Sequence, residues 1–203
     1  MNKYKSLIIL DWDDTLFPTS WIVKNNINID NKQMQNKYII YFFKLDFLVS
    51  QLLLNLSKYG QAVIITNAST KWILLSSTIL PTTQKVLKNN VLIISARDAY
   101  QHKYPGDMSI WKKKAFEDVV NNYYENHKLQ NIVSGGDAEY EFLALTDLYN
   151  ENSVVKNRLL KTIRFMKDPS FDDLIDQLEV FNDCAQKVLL NRGHLDLEFK
   201  SKQ

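Results

Sequence analysis

Four short segments of the chain carry side chains able to do chemistry, each at or near the end of an apolar run or the start of a helix. In Leu10-Asp11-Trp12-Asp13-Asp14-Thr15, Asp11 and Asp13 project to the same side if the backbone stays extended. Two such carboxylates suit covalent phosphoryl transfer: one attacks phosphorus, and the other protonates the leaving oxygen and then activates water. Ile64-Ile65-Thr66-Asn67-Ala68 offers a hydroxyl and an amide that can hold phosphate oxygens without adding negative charge. Trp111-Lys112-Lys113-Lys114-Ala115-Phe116 supplies an ammonium group near a helix start. In Ile132-Val133-Ser134-Gly135-Gly136-Asp137, the glycines let the backbone approach a ligand and Asp137 adds a carboxylate.

Bringing Asp11, Asp13 and Asp137 together poses an electrostatic problem. Two like charges about 4 Å apart repel by ~4 kcal/mol at an effective dielectric of 20. A dianionic phosphate adds to the repulsion. A hard divalent cation with oxygen ligands and water, plus one lysine, resolves it, and magnesium fits best.

The elements that would position these residues follow from the apolar pattern. Leu7–Leu10, Ala62–Ile65, Val91–Ile94, Ile132–Val133 and Ile163–Phe165 read as strands, the first three as strands covered on both faces. Helical periodicity covers Met34–Leu56, Ser69–Leu80 (stopped by Pro81), Ile110–Tyr124, Ala138–Leu148 and a last helix from about Ser170 to Leu190. Strand alternating with helix predicts an α/β domain: a doubly wound, Rossmann-like parallel sheet of about five strands, in three layers. Such sheets bind ligands at the carboxyl ends of their strands. Residues 1–203 read as a single domain, with an irregular flap at about 17–32 and a polar, fraying tail at about 192–203.

Composition narrows the class further. Hydrophobic residues are 45%, and four Trp, ten Tyr and ten Phe argue against disorder. A net charge of +2 gives no electrostatic reason to expect nucleic acid or an anionic membrane. Cys184 stands alone, so no internal disulfide forms, and no arginine lies six positions on, which excludes a cysteine-based tyrosine phosphatase. No stretch is expected to approach a membrane span, and the chain is expected to be cytoplasmic. His102, His127 and His194 lack ligand spacing.

In this order the four segments resemble motifs I to IV of the haloacid dehalogenase superfamily of phosphatases. The resemblance spans roughly Lys5 to Phe165. It implies that Asp11 is the nucleophile and Asp13 the general acid/base. It gives Thr66 the phosphate-binding hydroxyl with Asn67 beside it, and it implies that the Asp11 carboxylate, the Asp13 carbonyl and Asp137 hold the magnesium ion. Trp-Lys-x-x-Ala-Phe resembles related sequences in making Lys112, rather than Lys113 or Lys114, the phosphate-binding lysine. Glu141 stands where this family often has a second aspartate.

Small-molecule members usually carry a cap domain, and neither gap between motifs here holds one. Capless members often act on proteins, some on phosphotyrosine. The resemblance therefore implies a protein phosphatase with phosphotyrosine preferred, Trp12, Phe17 and Trp21 flanking the substrate ring. A small-molecule phosphatase such as a nucleotidase is the alternative within enzymes. A non-catalytic binding module is the alternative outside them, and an effector delivered from a bacterium into a host cell is the alternative location. Nothing in the sequence sets the oligomeric state.

Overall fold

The computed structural model describes residues 6–126, 129–152 and 155–200. Side-chain alternation along β1 (Ser6–Leu10) sets out the layers. Ile8 and Leu10 face one apolar cluster, Leu7 and Ile9 the other, and all four are buried. A strand apolar on both sides must be covered on both sides.

Six strands form one parallel sheet in the order β3-β2-β1-β4-β5-β6. They are β1, β2 (Gly60–Thr66), β3 (Val91–Ser95), β4 (Asn131–Gly136), β5 (Leu159–Arg164) and β6 (Leu195–Glu198). On the face of Ile8 and Leu10 lie α3 (Ile39–Leu56), α4 (Thr70–Ser76), α5 (Pro81–Asn90) and α9 (Phe171–Leu190). On the other face lie α6 (Ala96–Tyr100), α7 (Met108–Asn126) and α8 (Glu139–Glu151). Two short helices, α1 (Thr19–Lys24) and α2 (Lys32–Lys37), precede α3. From β1 the chain builds outward to β3, then returns to lay β4 against the free side of β1. The direction of winding thus switches between β1 and β4, and the carboxyl ends of those strands open a crevice there.

Several sequence expectations need correction. The sheet has six strands, not about five, because Leu195 and Leu197 alternate in β6, inside the tail expected to fray; residues 201–203 lie outside the described residues. Met34–Leu56 is two helices, broken at Tyr38, whose φ of −106° and ψ of 16° leave the helical region. The helix expected over Ser69–Leu80 ends at Ser76 and passes into a 3-10 turn over Ser77–Ile79, and Pro81 starts a helix instead of stopping one: it takes the first position of α5, where its missing N–H costs nothing. The buried Asp46 of α3 accepts from the Thr82 and Thr83 amides at 3.0 and 2.7 Å and so fixes that helix start. β3 is an edge strand and only partly covered. The 17–32 stretch contains α1 and buries Ile22, Ile27 and Ile29 in the core. By length and a mean hydropathy of 1.5, α3 reaches what a membrane span needs, contrary to expectation; half of that window is buried inside the fold.

Candidate active site

The same alternation that builds the core delivers the first carboxylate. Leu10 ends β1 pointing toward α3, so Asp11 turns toward α7 and α8 and Trp12 back toward α3. The Asp11 amide donates to the Gly135 carbonyl at 2.8 Å, which holds the strand end against β4 across the switch point. The chain then folds into a tight turn. Leu16 and Phe17 both donate to the Trp12 carbonyl at 2.9 Å, and Asp14, at a left-handed φ of 51°, donates to the Phe17 carbonyl at 2.7 Å. The Asp14 carboxylate takes the Ser20 amide at 2.8 Å and ties this turn to α1. The Asp13 carbonyl accepts none of the backbone bonds in the turn.

Lys112 lies on the buried stripe of α7 with Ala115, Phe116 and Val119, at spacings of three, four and seven. That stripe carries it under the sheet edge, where it is 1% exposed. Its ammonium reaches Asp11 Oδ1 at 2.9 Å, Glu141 Oε1 at 2.6 Å and the Ile65 carbonyl at 2.8 Å, so each of its three protons has an acceptor. Lys113 and Lys114 point elsewhere. Lys113 pairs with Asp147 and Glu151 of α8, and Lys114 with Glu117 one turn along α7.

Asp13 is held by three donors. The Thr19 hydroxyl and the Trp72 indole N–H (2.7 Å) donate to Oδ1, and the Thr66 hydroxyl donates to Oδ2 at 3.3 Å. Burial raises its pKa above the ordinary carboxylate value, and the Asp11 charge raises it further, although the Thr19 and Trp72 bonds pull the other way. Thr66 also accepts the Ala68 amide at 3.0 Å. Asn67 lines the cleft, yet its amide nitrogen braces the start of α7 through the Met108 carbonyl at 3.2 Å.

Asp137, just past β4, accepts from the Thr15 hydroxyl at 3.5 Å. Burial, then Asp11, Glu141 and Asp14, push its pKa up to about 8. Glu141 is likewise raised, first by burial, and its Oε2 is buried with no partner among the described residues. Gly136 makes room for it: a Cβ there would come within 2.4–2.6 Å of the Glu141 side chain. Among the described residues, no three His, Cys, Asp or Glu side chains converge tightly enough to make a metal cage by themselves.

Asp11, Asp13, Thr19, Lys112 and Glu141 line one cleft of about 330 Å³, with Trp72, Met108 and Tyr140 at its walls. Asp11, Asp13, Thr66, Asn67 and Lys112 therefore share a cavity, whereas Asp137 is not among its lining residues, although its neighbour Ala138 is. The aromatic expectation fails. Trp12 and Phe17 are buried and stacked at 5.6 Å, while Trp21 packs on Tyr38, Tyr41 and Phe171. Trp12 points away because it is one residue out of phase with Asp11. Sequence reading missed Thr19 and Trp72, which lie near Asp13 only after α1 and α4 fold over it. It also missed the Lys112–Glu141 pair, although Glu141 faces inward on the first turn of α8. Compared with known proteins, the chain matches no family model, no curated protein and no solved structure.

Proposed function

We propose that the protein is a magnesium-dependent phosphomonoesterase of the haloacid dehalogenase type, working through an aspartyl-phosphate on Asp11. The observation that carries this reading is Asp11 itself. One of its oxygens is neutralised by the buried Lys112 at 2.9 Å, and it lines the cleft at a topological switch point. Lys112 orients the attacking carboxylate and offsets charge as phosphate enters.

Asp13 is the proton carrier. Its raised pKa favours the protonated form needed to hand a proton to the leaving oxygen, and the carboxylate that results can take one from water. Thr66, now bonded to Asp13 Oδ2, is placed to donate to a phosphate oxygen instead.

The residues present fit a magnesium ion. Asp137 and Glu141 both lie in the field of the Asp11 charge, Lys112 is the cation paired with Asp11 and Glu141, and Glu141 Oε2 is buried with no partner among the described residues. The Asp11 and Asp137 carboxylates with the Asp13 carbonyl would hold the ion as a partial oxygen shell, which suits a cation that keeps several waters. When bound, it would withdraw charge from the phosphate oxygens.

The cleft supports a protein substrate. The chain between Asp13 and Thr66 and between Asn67 and Lys112 is spent on helices and on β2 and β3, which leaves no separate cap domain over the cleft among the described residues. Phosphotyrosine remains the preferred substrate in this reading, with Trp72, Met108 and Tyr140 in place of the residues first expected at the mouth.

The test is hydrolysis of para-nitrophenyl phosphate with and without magnesium, by wild type and Asp11→Asn. Magnesium-dependent turnover lost in the variant is expected, and turnover surviving the substitution would refute the mechanism. A phosphopeptide panel set against sugar phosphates then addresses the substrate; equal rates on both would sink the protein-substrate reading.

A further inference from the structure

The amino edge of the sheet holds a second cavity, of about 640 Å³, larger than the cleft at the carboxyl edge and sharing no lining residue with it. Ser6, Asn131 and Leu159, the first residues of β1, β4 and β5, line it together with Lys58, Leu189 and Arg192. Asn131 is only 7% exposed. Its Nδ2 donates to the Ser6 hydroxyl at 3.1 Å and to the Leu189 carbonyl at 3.4 Å, whereas its Oδ1 is buried and accepts from nothing among the described residues. A buried acceptor left empty is costly, and a donor entering the cavity would relieve it.

The charge around this acceptor has one sign. No carboxylate lines the cavity, and among the described residues neither Lys58 nor Arg192 joins an ion pair. Lys58 donates only to the neutral Asn55 side chain, at 2.8 Å. The carboxyl end of α9 also borders the cavity, and its free carbonyls would repel an anion. Lys161 removes that obstacle from behind the wall, because its ammonium holds the Leu189 and Asn191 carbonyls at 2.9 Å each.

We propose that this cavity binds a small phosphate monoester with a hydroxylated body. The phosphate sits on Lys58 and Arg192, a hydroxyl donates to Asn131 Oδ1, and the carbon skeleton lies against Leu159 and Leu189. Two cations without counter-charges suit a dianion better than a single carboxylate. The volume falls in the range of small-molecule pockets and is more than inorganic phosphate would fill.

This site lies outside the catalytic cleft, so the inference and the phosphatase reading stand or fall separately. The experiment is isothermal titration of the full chain with ribose 5-phosphate in EDTA, where no magnesium-dependent turnover intervenes. Binding at one site is expected. Lys58→Ala with Arg192→Ala should weaken it by about 100-fold. Both side chains are exposed, so thermal unfolding and para-nitrophenyl phosphate turnover should stay at the wild-type level. Methyl phosphate, which keeps the anion and lacks the hydroxyls, should bind about tenfold more weakly. No heat of binding at millimolar ribose 5-phosphate would overturn the proposal, as would equal affinity for methyl phosphate. An affinity that changes with Asp11→Asn but not with the double substitution would place the ligand in the cleft and overturn it too.

Discussion

Lys112 and Lys161 are both withdrawn from water, and the two ends of the sheet use them in opposite ways. Lys161 leaves β5 toward the carboxyl end of α9 and donates to the Leu189 and Asn191 carbonyls, both at 2.9 Å. Burial lowers its pKa, and among the described residues no carboxylate counters that effect. Burial pulls on Lys112 as well, but Asp11 and Glu141 overrule it and hold the ammonium well above its ordinary value. A buried lysine by itself is therefore a structural fact: one at the α9 terminus caps carbonyls, whereas one between two carboxylates at the carboxyl edge of β1 and β4 marks a place where charge is being managed.

The sharpest way to break this comparison is to remove each ammonium. Lys112→Met leaves Asp11 and Glu141 buried without a counter-charge. It should cost about 3–5 kcal/mol in urea unfolding and abolish phosphatase turnover. Lys161→Met leaves two carbonyls unpaired, should cost about 1–3 kcal/mol, and should leave turnover near wild type. If Lys161→Met destroyed turnover as well, the two ends would not differ in the way described.

Gly136→Ala attacks the same pair from the backbone. The added methyl meets Glu141 at 2.4–2.6 Å and must push it off Lys112. A loss of about 1–3 kcal/mol is expected for disturbing a buried polar pair, with reduced turnover. Wild-type turnover in this variant would mean that the Glu141 contact is dispensable.

Trp72→Phe removes a donor from Asp13 while keeping a ring against Phe17. Loss of a hydrogen bond to a charged group is worth about 1.5–3 kcal/mol, so kcat should fall by tenfold or more if Trp72 positions Asp13. Unchanged kcat would remove Trp72 from that role.

The smallest effect concerns pH. Asp137, raised from 3.8 to about 8, keeps its proton in the folded chain where the unfolded chain has lost it, and Asp13, Asp14 and Glu141 are raised in the same direction. The folded chain thus binds more protons between those two values, and stability falls as pH rises through that window. Without divalent cations Tm should be lower at pH 8 than at pH 5. Magnesium should restore roughly 2–4 °C at pH 8 and little at pH 5, since it needs the carboxylates charged. A magnesium response independent of pH would contradict the metal reading.

How much of this was legible in the sequence differs from residue to residue. Asp11 and Asp137 were, because each follows a short apolar strand. The choice of Lys112 was available too: 112, 115, 116 and 119 form one helical stripe, which 113 and 114 leave. So was the misplacement of Trp12, whose odd step from Asp11 sends it to the other face. What local pattern could not supply was anything made by docking. Thr19 and Trp72, 53 positions apart in the chain, converge on Asp13 only after α1 and α4 close over the turn. The break at Tyr38 was similarly hidden within a continuous apolar period, and Pro81, read as a stop, is a helix start.

The most direct measurement is a rapid-quench trap of the phosphoenzyme. Wild-type protein mixed with magnesium and a phosphate ester labelled at phosphorus, then quenched in acid and digested, should yield label on the peptide containing Asp11. Asp11→Asn should yield none. Label on any other residue, or full turnover with no labelled protein at any time point, would contradict the assignment of Asp11 as nucleophile.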